Sequence, residues 1–235
     1  MRLKDCLFLL DVDGTLLATG GPYHGPALED AVRDVCGVEP DATALVLAGR
    51  TDSEILLEMM RTAGAADPER QLDRAIARAV AHFRSHLPMD LRKQVLPGVV
   101  DALELFRQEG AELGLVTGNI AEIAWTKMEC SGLGRYFAFG AFGDESSVRA
   151  DLPLLAAKRA GRAFAPENSY VIGDTPRDID CGRACRMKTV AVATGRYTSA
   201  ELEPYHPTCL CANLREFAER MLREQGRVCP GLPGY

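Results

Sequence analysis

No apolar run in this sequence reaches the roughly 18 residues that a membrane-crossing helix needs. The first residues, Met1-Arg2-Leu3-Lys4, carry positive charge, but the apolar stretch behind them, Cys6 to Leu10, stops at Asp11. It lacks the length and the small-residue cleavage site of a secretory leader. No basic block stands out either. Lys and Arg number 27 against 33 Asp and Glu, a formal net charge of -6. Neither nucleic acid nor an anionic membrane is the expected partner. The 8 cysteines form no dense pattern, and a chain of this length has no need of disulfide staples. The expectation is a cytoplasmic protein with reduced thiols. Internal repeats and low-complexity segments are absent. So are a Gly-x-Ser-x-Gly elbow, a Walker loop and a dinucleotide fingerprint. What remains is an ordinary globular composition, 47% hydrophobic and 26% charged over 235 residues, enough for one full core and a smaller module.

Continuous apolar runs punctuate the chain. Cys6 to Leu10 ends at a carboxylate, as buried parallel strands do when they run into a polar loop. Glu112 to Thr117, Ala138 to Phe142, Tyr170 to Gly173 and Thr189 to Ala193 read the same way, with Thr208 to Cys211 a weaker sixth. Helical patterns alternate with them: Val99 to Glu109, Ile120 to Cys130, Leu152 to Ala160 capped by Asp151, Pro176 to Ala184, and Leu214 to Arg223 after Asn213. This rhythm predicts an α/β domain with a parallel sheet. It breaks between about Leu17 and Lys93, where only helical periodicity is found. Ala27 to Cys36 and Asp52 to Ala63, capped by Thr51 or Asp52, form two of its helices. A third starts at Asp67-Pro68, with Leu72, Ile76, Val80 and Phe83 at helical spacing. Residues 17–93 therefore read as a helical insertion, hinged near Gly20-Gly21-Pro22 and again near Leu91 to Pro97. The Gly- and Pro-rich tail from Gly226 to Tyr235 is expected to be poorly ordered.

Chemistry-bearing residues gather at strand ends. Asp11-Val12-Asp13-Gly14-Thr15 follows the first apolar run. Two carboxylates one residue apart repel, and a divalent cation would relieve that repulsion. A second strand ends in Thr117-Gly118-Asn119 just before a helix, a hydroxyl with backbone N–H groups that suits an anion. Tyr170-Val171-Ile172-Gly173 ends in Asp174, with Asp178 four residues on; Asp178 is equally at home as a first-turn helix acid. Ligands of open α/β sheets bind at the carboxyl ends of strands, so these groups should converge on one edge.

On these residues the chain resembles the haloacid dehalogenase-like (HAD) hydrolase superfamily. Asp11-Val12-Asp13-Gly14-Thr15, Thr117, a basic residue near Arg149, and Gly173-Asp174-Thr175-Pro176-Arg177-Asp178 stand in the family's order. The resemblance implies a three-layer Rossmann-like α/β core, residues 1–16 and 94–235, and a type 1 helical cap domain, residues 17–93. It implies Asp11 as nucleophile, Asp13 as acid–base residue, and Mg2+ held by Asp11, the Asp13 carbonyl and Asp174, with Asp178 behind them or acting through water. Thr117 and the N–H groups of Gly118 and Asn119 would hold phosphate oxygens. The third-motif cation is Arg149 where the family more often has Lys; Lys158 is the alternative. Asp13 and Asp174 favour phosphoryl chemistry over dehalogenation. The implied activity is phosphomonoester hydrolysis on a small phosphorylated metabolite. A phosphomutase, or a non-catalytic binding module on the same fold, is the alternative, and oligomeric state stays open. Gly49-Arg50-Thr51-Asp52 resembles the cap loop of phosphoglycolate-phosphatase-like members, which makes Arg50 a candidate for an anionic part of the substrate; Tyr23 and His24 near the hinge are weaker candidates.

Other features read as structure. His82 and His86 sit four apart on a helix without an evident third ligand. Cys181/Cys185 and Cys209/Cys211 lack zinc-site spacing and read as buried thiols. Trp125 reads as core.

Overall fold

The computed structural model describes residues 2–19, 21, 23–40, 48–146 and 148–224. Six parallel strands form one sheet: β1 (Leu7–Leu10), β2 (Glu112–Val116), β3 (Gly140–Ala141), β4 (Ser169–Gly173), β5 (Lys188–Val192) and β6 (Cys209–Cys211), in the order β3-β2-β1-β4-β5-β6. β1 lies at the centre, with Leu7 to Leu10 registered against Glu112 to Leu115 on one side and Ser169 to Ile172 on the other. The chain thus leaves β1 for one neighbour and later returns to the other, which opens a crevice at the carboxyl ends of β1, β2 and β4.

Both faces of β1 are covered, which explains why it reads as an unbroken apolar run. Phe8 and Leu10 point into one core cluster, Leu7 and Leu9 into another. On the first face Phe8 stacks 4.5 Å from Phe106 of α4 (Val99–Gln108) and meets Phe217 of α9 (Leu214–Arg223) edge-on at 5.8 Å. On the second, Leu7 and Leu9 pack with Leu152 and Ala156 of α6 (Leu152–Arg159). The remaining helices of the sheet are α5 (Ala121–Ser131), α7 (Pro176–Ala184) and the short α8 (Ser199–Leu202). Sheet and helices make the parallel α/β arrangement that the strand-helix rhythm predicts, in the three layers that the family resemblance implies.

Between β1 and α4 the chain forms α1 (His24–Cys36), α2 (Asp52–Thr62) and α3 (Pro68–His86), which pack on one another. Thr51 caps α2 in a reciprocal box: its hydroxyl accepts from Glu54 N at 3.2 Å and its N–H donates to Glu54 Oε2 at 3.1 Å. The two connections to the sheet run side by side. Ala18 N donates to Gln94 O at 2.8 Å, Leu96 N to Leu16 O at 3.0 Å, and Leu17 bridges Val95 in antiparallel fashion.

Two caps differ from expectation. Asp151 makes no capping bond, because the 3-10 turn Arg149–Asp151 already runs into α6; its carboxylate accepts from the Ser146 hydroxyl at 2.9 Å instead. Asp67 has a left-handed backbone and no side-chain cap, so Pro68 alone marks the start of α3. No helix among the described residues is long and apolar enough to cross a membrane. The seven cysteines among them are free thiols. The tail from Gly226 onward, and Gly20 and Pro22 of the expected hinge, lie outside the described residues.

Candidate active site

Asp11 continues the ladder of β1, its N–H bonded to Ile172 O at 2.9 Å. The chain then coils tightly: Leu16 N and Leu17 N both donate to Val12 O, and Gly14 N to Leu17 O. Gly14 takes φ +87°, and a Cβ there would lie 2.4 Å from Asp174 Oδ2. Glycine is therefore required by conformation and by space. The coil brings the Thr15 hydroxyl to Asp174 Oδ1 at 3.3 Å.

Asp11, Asp174 and Asp178, all buried, bring a carboxylate oxygen each within 4.8 Å of one another. Arg149, buried too, joins two of them. Its Nη2 donates to Asp11 Oδ1 at 3.1 Å and to Asp178 Oδ1. The turn that carries it is pinned by two thiols, one on α7 and one just past its end: Cys181 Sγ donates to Arg149 O at 3.0 Å and Cys185 Sγ to Ala150 O at 3.2 Å. Those two cysteines are buried, as read, but they also fix the cation. Asp178 Oδ2 accepts from Thr175 N at 3.1 Å and Thr175 Oγ1 at 2.7 Å, so this carboxylate closes the first turn of α7 as well as facing the site. Lys158 is exposed on α6.

Electrostatics divide the carboxylates. Burial pushes Asp11 up to about 7; Arg149 opposes this, and the charges of Asp178 and Asp13 add to it. Burial, with the charges of Asp11 and Asp178, pushes Asp174 up to about 8. Asp13 goes the other way. Burial opposes its charge, but the Lys127 charge and the hydrogen bonds from Lys127 and Asn119 outweigh burial and hold it below the usual carboxylate range. Converging buried carboxylates that resist ionisation are a hard-oxygen donor set, and Mg2+ fits it.

Thr117 follows β2, its N–H on Ala141 O at 3.2 Å, and Asn119 N donates to its hydroxyl at 3.4 Å. The helical unit rests on this loop: Asp52 N donates to Gly118 O at 2.7 Å, and Asp52 Oδ2 accepts from Ile120 N at 2.8 Å. A cavity of about 650 Å³ lies between the helical unit and the sheet edge, lined by Asp11, Asp13, Thr117, Arg149, Asp174 and Arg50 among others. Arg50 is not a free cation: its Nη1 pairs with Glu58 Oε2 at 2.5 Å. Its Nε, like Arg149 Nε, is a buried donor without a partner. Tyr23 is occupied by Gln94.

Sequence reasoning missed Lys127 and the role of Asp52. Lys127 Nζ, buried on α5, reaches Asp13 Oδ2 at 2.6 Å. The available signal was its place two turns after Asn119, on the face that also carries the buried Ile123. His82 and His86 do have neighbours across the helix pair: Asp34 lies 2.8 Å from His82, and Asp30 3.5 Å from His86. Asp30 and the two histidines form a half-exposed group rather than a solitary pair. Trp125 is partly buried against Phe142.

Fold and site together define an α/β enzyme whose parallel sheet delivers carboxylates, a hydroxyl and a guanidinium to one edge. The model of the haloacid dehalogenase-like hydrolases matches residues 8–183, and the chain belongs to that family. A second model, of HAD-hydrolase-like proteins, matches residues 151–217. Phosphoglycolate phosphatase of Agrobacterium fabrum is 28% identical over 84% of this chain and 85% of its own length. That of Mesorhizobium japonicum is 26% identical over 94% and 98%. Among solved structures, a hydrolase from Pseudomonas syringae superposes with TM-score 0.66 at 22% identity, covering 93% of this chain and 98% of its own. A β-phosphoglucomutase from Clostridium difficile does so with TM-score 0.69 at 18% identity, covering 94% and 96%.

Proposed function

We propose that this hydrolase is a cytoplasmic, Mg2+-dependent phosphatase that cleaves a small phosphorylated metabolite through an aspartyl-phosphate on Asp11, beneath a cap formed by α1 to α3. The observation that carries this reading is the convergence of Asp11, Asp174 and Asp178 beside Arg149. Asp11, the Asp13 carbonyl and Asp174 would hold the cation, with Asp178 supporting them from behind through Arg149 and Thr175. When bound, Mg2+ supplies positive charge that favours ionised Asp11 and screens it from the phosphate.

The chain's own groups do the rest. Thr117, the N–H groups of Gly118 and Asn119, and Arg149 orient the phosphate in line with Asp11. Arg149 holds the Asp11 carboxylate so that its other oxygen faces phosphorus. The substrate binds as its monoanion and passes that proton through Asp13 to the leaving oxygen as Asp11 displaces it. Asp13, ionised again, then takes a proton from the water that attacks the aspartyl-phosphate, which frees Asp11 and inorganic phosphate. The closed cap limits the water that reaches the intermediate.

The relatives named phosphoglycolate phosphatase put two-carbon acid phosphates first among substrates. The test is phosphate release from a panel of phosphorylated metabolites, phosphoglycolate and sugar phosphates included, with and without Mg2+. Turnover that needs Mg2+ supports the reading; full activity in excess chelator, or none on any member, overturns it. An isomerised sugar phosphate instead of free phosphate would mark a phosphomutase.

A further inference from the structure

Lys127 is 2% exposed, and a buried ammonium is costly unless every proton finds an acceptor. Here each does. Lys127 Nζ lies 2.6 and 2.8 Å from the two Asp13 oxygens, 2.7 Å from Asn119 Oδ1 and 3.1 Å from His24 Nδ1. An ammonium donates three hydrogen bonds and accepts none. His24 Nδ1 must therefore accept, and the ring proton sits on Nε2, which faces Asp52 Oδ2 at 3.0 Å. Asn119, with Oδ1 turned to Lys127, donates through Nδ2 to Asp13 Oδ2 at 2.9 Å. Asp52 Oδ2 also receives the Ile120 N–H. Every bond in this set has one direction only, and the set runs from Asp13 through Lys127 and His24 to Asp52. Asp13, Asn119, Ile120 and Lys127 come from the sheet side; His24 and Asp52 come from the helical unit.

We infer that Lys127 is a positioning residue that aims the Asp13 carboxyl into the cavity, and that His24 and Asp52 steady the ammonium from the helical unit. Among the described residues, the Asp13 carboxylate is otherwise held by Asn119 alone. Asp13, Asn119 and His24 surround the ammonium, and the ammonium fixes the rotation of the Asp13 carboxyl. His24, at 3.1 Å the longest of the four contacts, ties that ammonium to the helical unit.

This inference rests on the reading of Asp13 as the acid–base residue, and the experiment separates the two. kcat/KM reports phosphoryl transfer to Asp11, where an alkyl phosphate needs a proton on its leaving oxygen and p-nitrophenyl phosphate scarcely does. Lys127→Met should lower kcat/KM for the alkyl phosphate by about 10²–10³-fold but for the aryl phosphate by less than about 10-fold. Asp52→Asn, a milder change at the surface where the two parts meet, should show the same selectivity at about 3–10-fold; it carries the test if Lys127→Met fails to fold. Asp13→Asn serves as reference and should reproduce the selective loss. Equal losses on both substrates in Lys127→Met would make Lys127 a packing residue and overturn the inference, as would an unchanged ratio in Asp52→Asn. Equal losses in Asp13→Asn would instead overturn the acid–base reading beneath it.

Discussion

Asp52 accepts the Ile120 N–H at 2.8 Å, and through that bond the first turn of α2 sits on the loop that carries Thr117 and Asn119. The same joint leaves no room at Gly118, where an added Cβ would lie 2.0 Å from Arg50 O. Backbone stands on both sides, so the clash is not relieved by a side-chain rotation. Gly118→Ala should lower kcat/KM by about 10²-fold, the scale expected when reacting groups are misplaced by an ångström. Its Tm should fall only slightly, since the clash disappears when the helical unit swings away. Wild-type kinetics in Gly118→Ala would show that the unit does not seat here during turnover.

Replacing the nucleophile is the most severe change. Asp11→Asn keeps the shape and the Arg149 neighbour but cannot form the covalent intermediate. Turnover of an aryl phosphate should drop by more than about 10⁴-fold, measured as phosphate release at saturating Mg2+. Retention of wild-type rates would exclude an aspartyl-phosphate on this residue.

The raised carboxyls give a stability signature in chelator. Asp174 titrates near 8 in the folded protein and at about 3.9 when unfolded. Between those values the native state keeps a proton that the unfolded chain has lost, so stability falls as pH rises through that interval. Asp11, raised to about 7 by burial, adds to the same slope. Metal-free Asp174→Asn should therefore melt a few °C above the metal-free parent at about pH 8, and the difference should vanish near pH 4. Mg2+ should raise the Tm of the parent and leave Asp174→Asn nearly unmoved. A constant Tm difference across the pH range would contradict the shift.

Arg50 has to leave Glu58 before it can serve a substrate. Arg50→Ala should cost about 10–150-fold in kcat/KM for a substrate whose leaving part is anionic, the worth of one charge-assisted contact, and little for a small aryl phosphate. Glu58→Gln removes the competitor and should lower KM for the anionic substrate alone. Equal effects of Arg50→Ala on both substrates would assign Arg50 to holding the Gly49–Asp52 loop.

Much of this architecture was legible because parallel strands buried on both faces are unbroken apolar runs. Leu7–Leu10 and Glu112–Val116 announce themselves, and the polar residue that ends each run marks the active edge. Shorter pairing was overestimated: Ala138 to Phe142 contributes only Gly140–Ala141 to the ladder. Asp151 looked like a cap, but capping depends on the backbone ahead of the helix, and there the chain already coils. Lys127 was missed for a different reason, although its place on the Ile123 face was a signal. A lysine on a helix is nearly always solvated, and only the three-dimensional meeting of α1, α5 and the loop after β1 supplies its acceptors. The Arg50–Glu58 pair spans a loop and two turns of α2, a separation for which no local pattern exists.

The paired connections between sheet and helical unit carry a mechanical consequence. Two free strands of chain would let an attached body tumble about several axes. Here the segments at Leu16 to Ala18 and Gln94 to Leu96 are laced by backbone hydrogen bonds, and a two-stranded ribbon bends across its width far more readily than it shears or twists out of register. If the proposed cap opens between turnovers, the laced joint confines that motion to one soft coordinate, as a door hinge does, and a body that retraces one arc returns Asp52 to Ile120 and His24 to Lys127 at each closure.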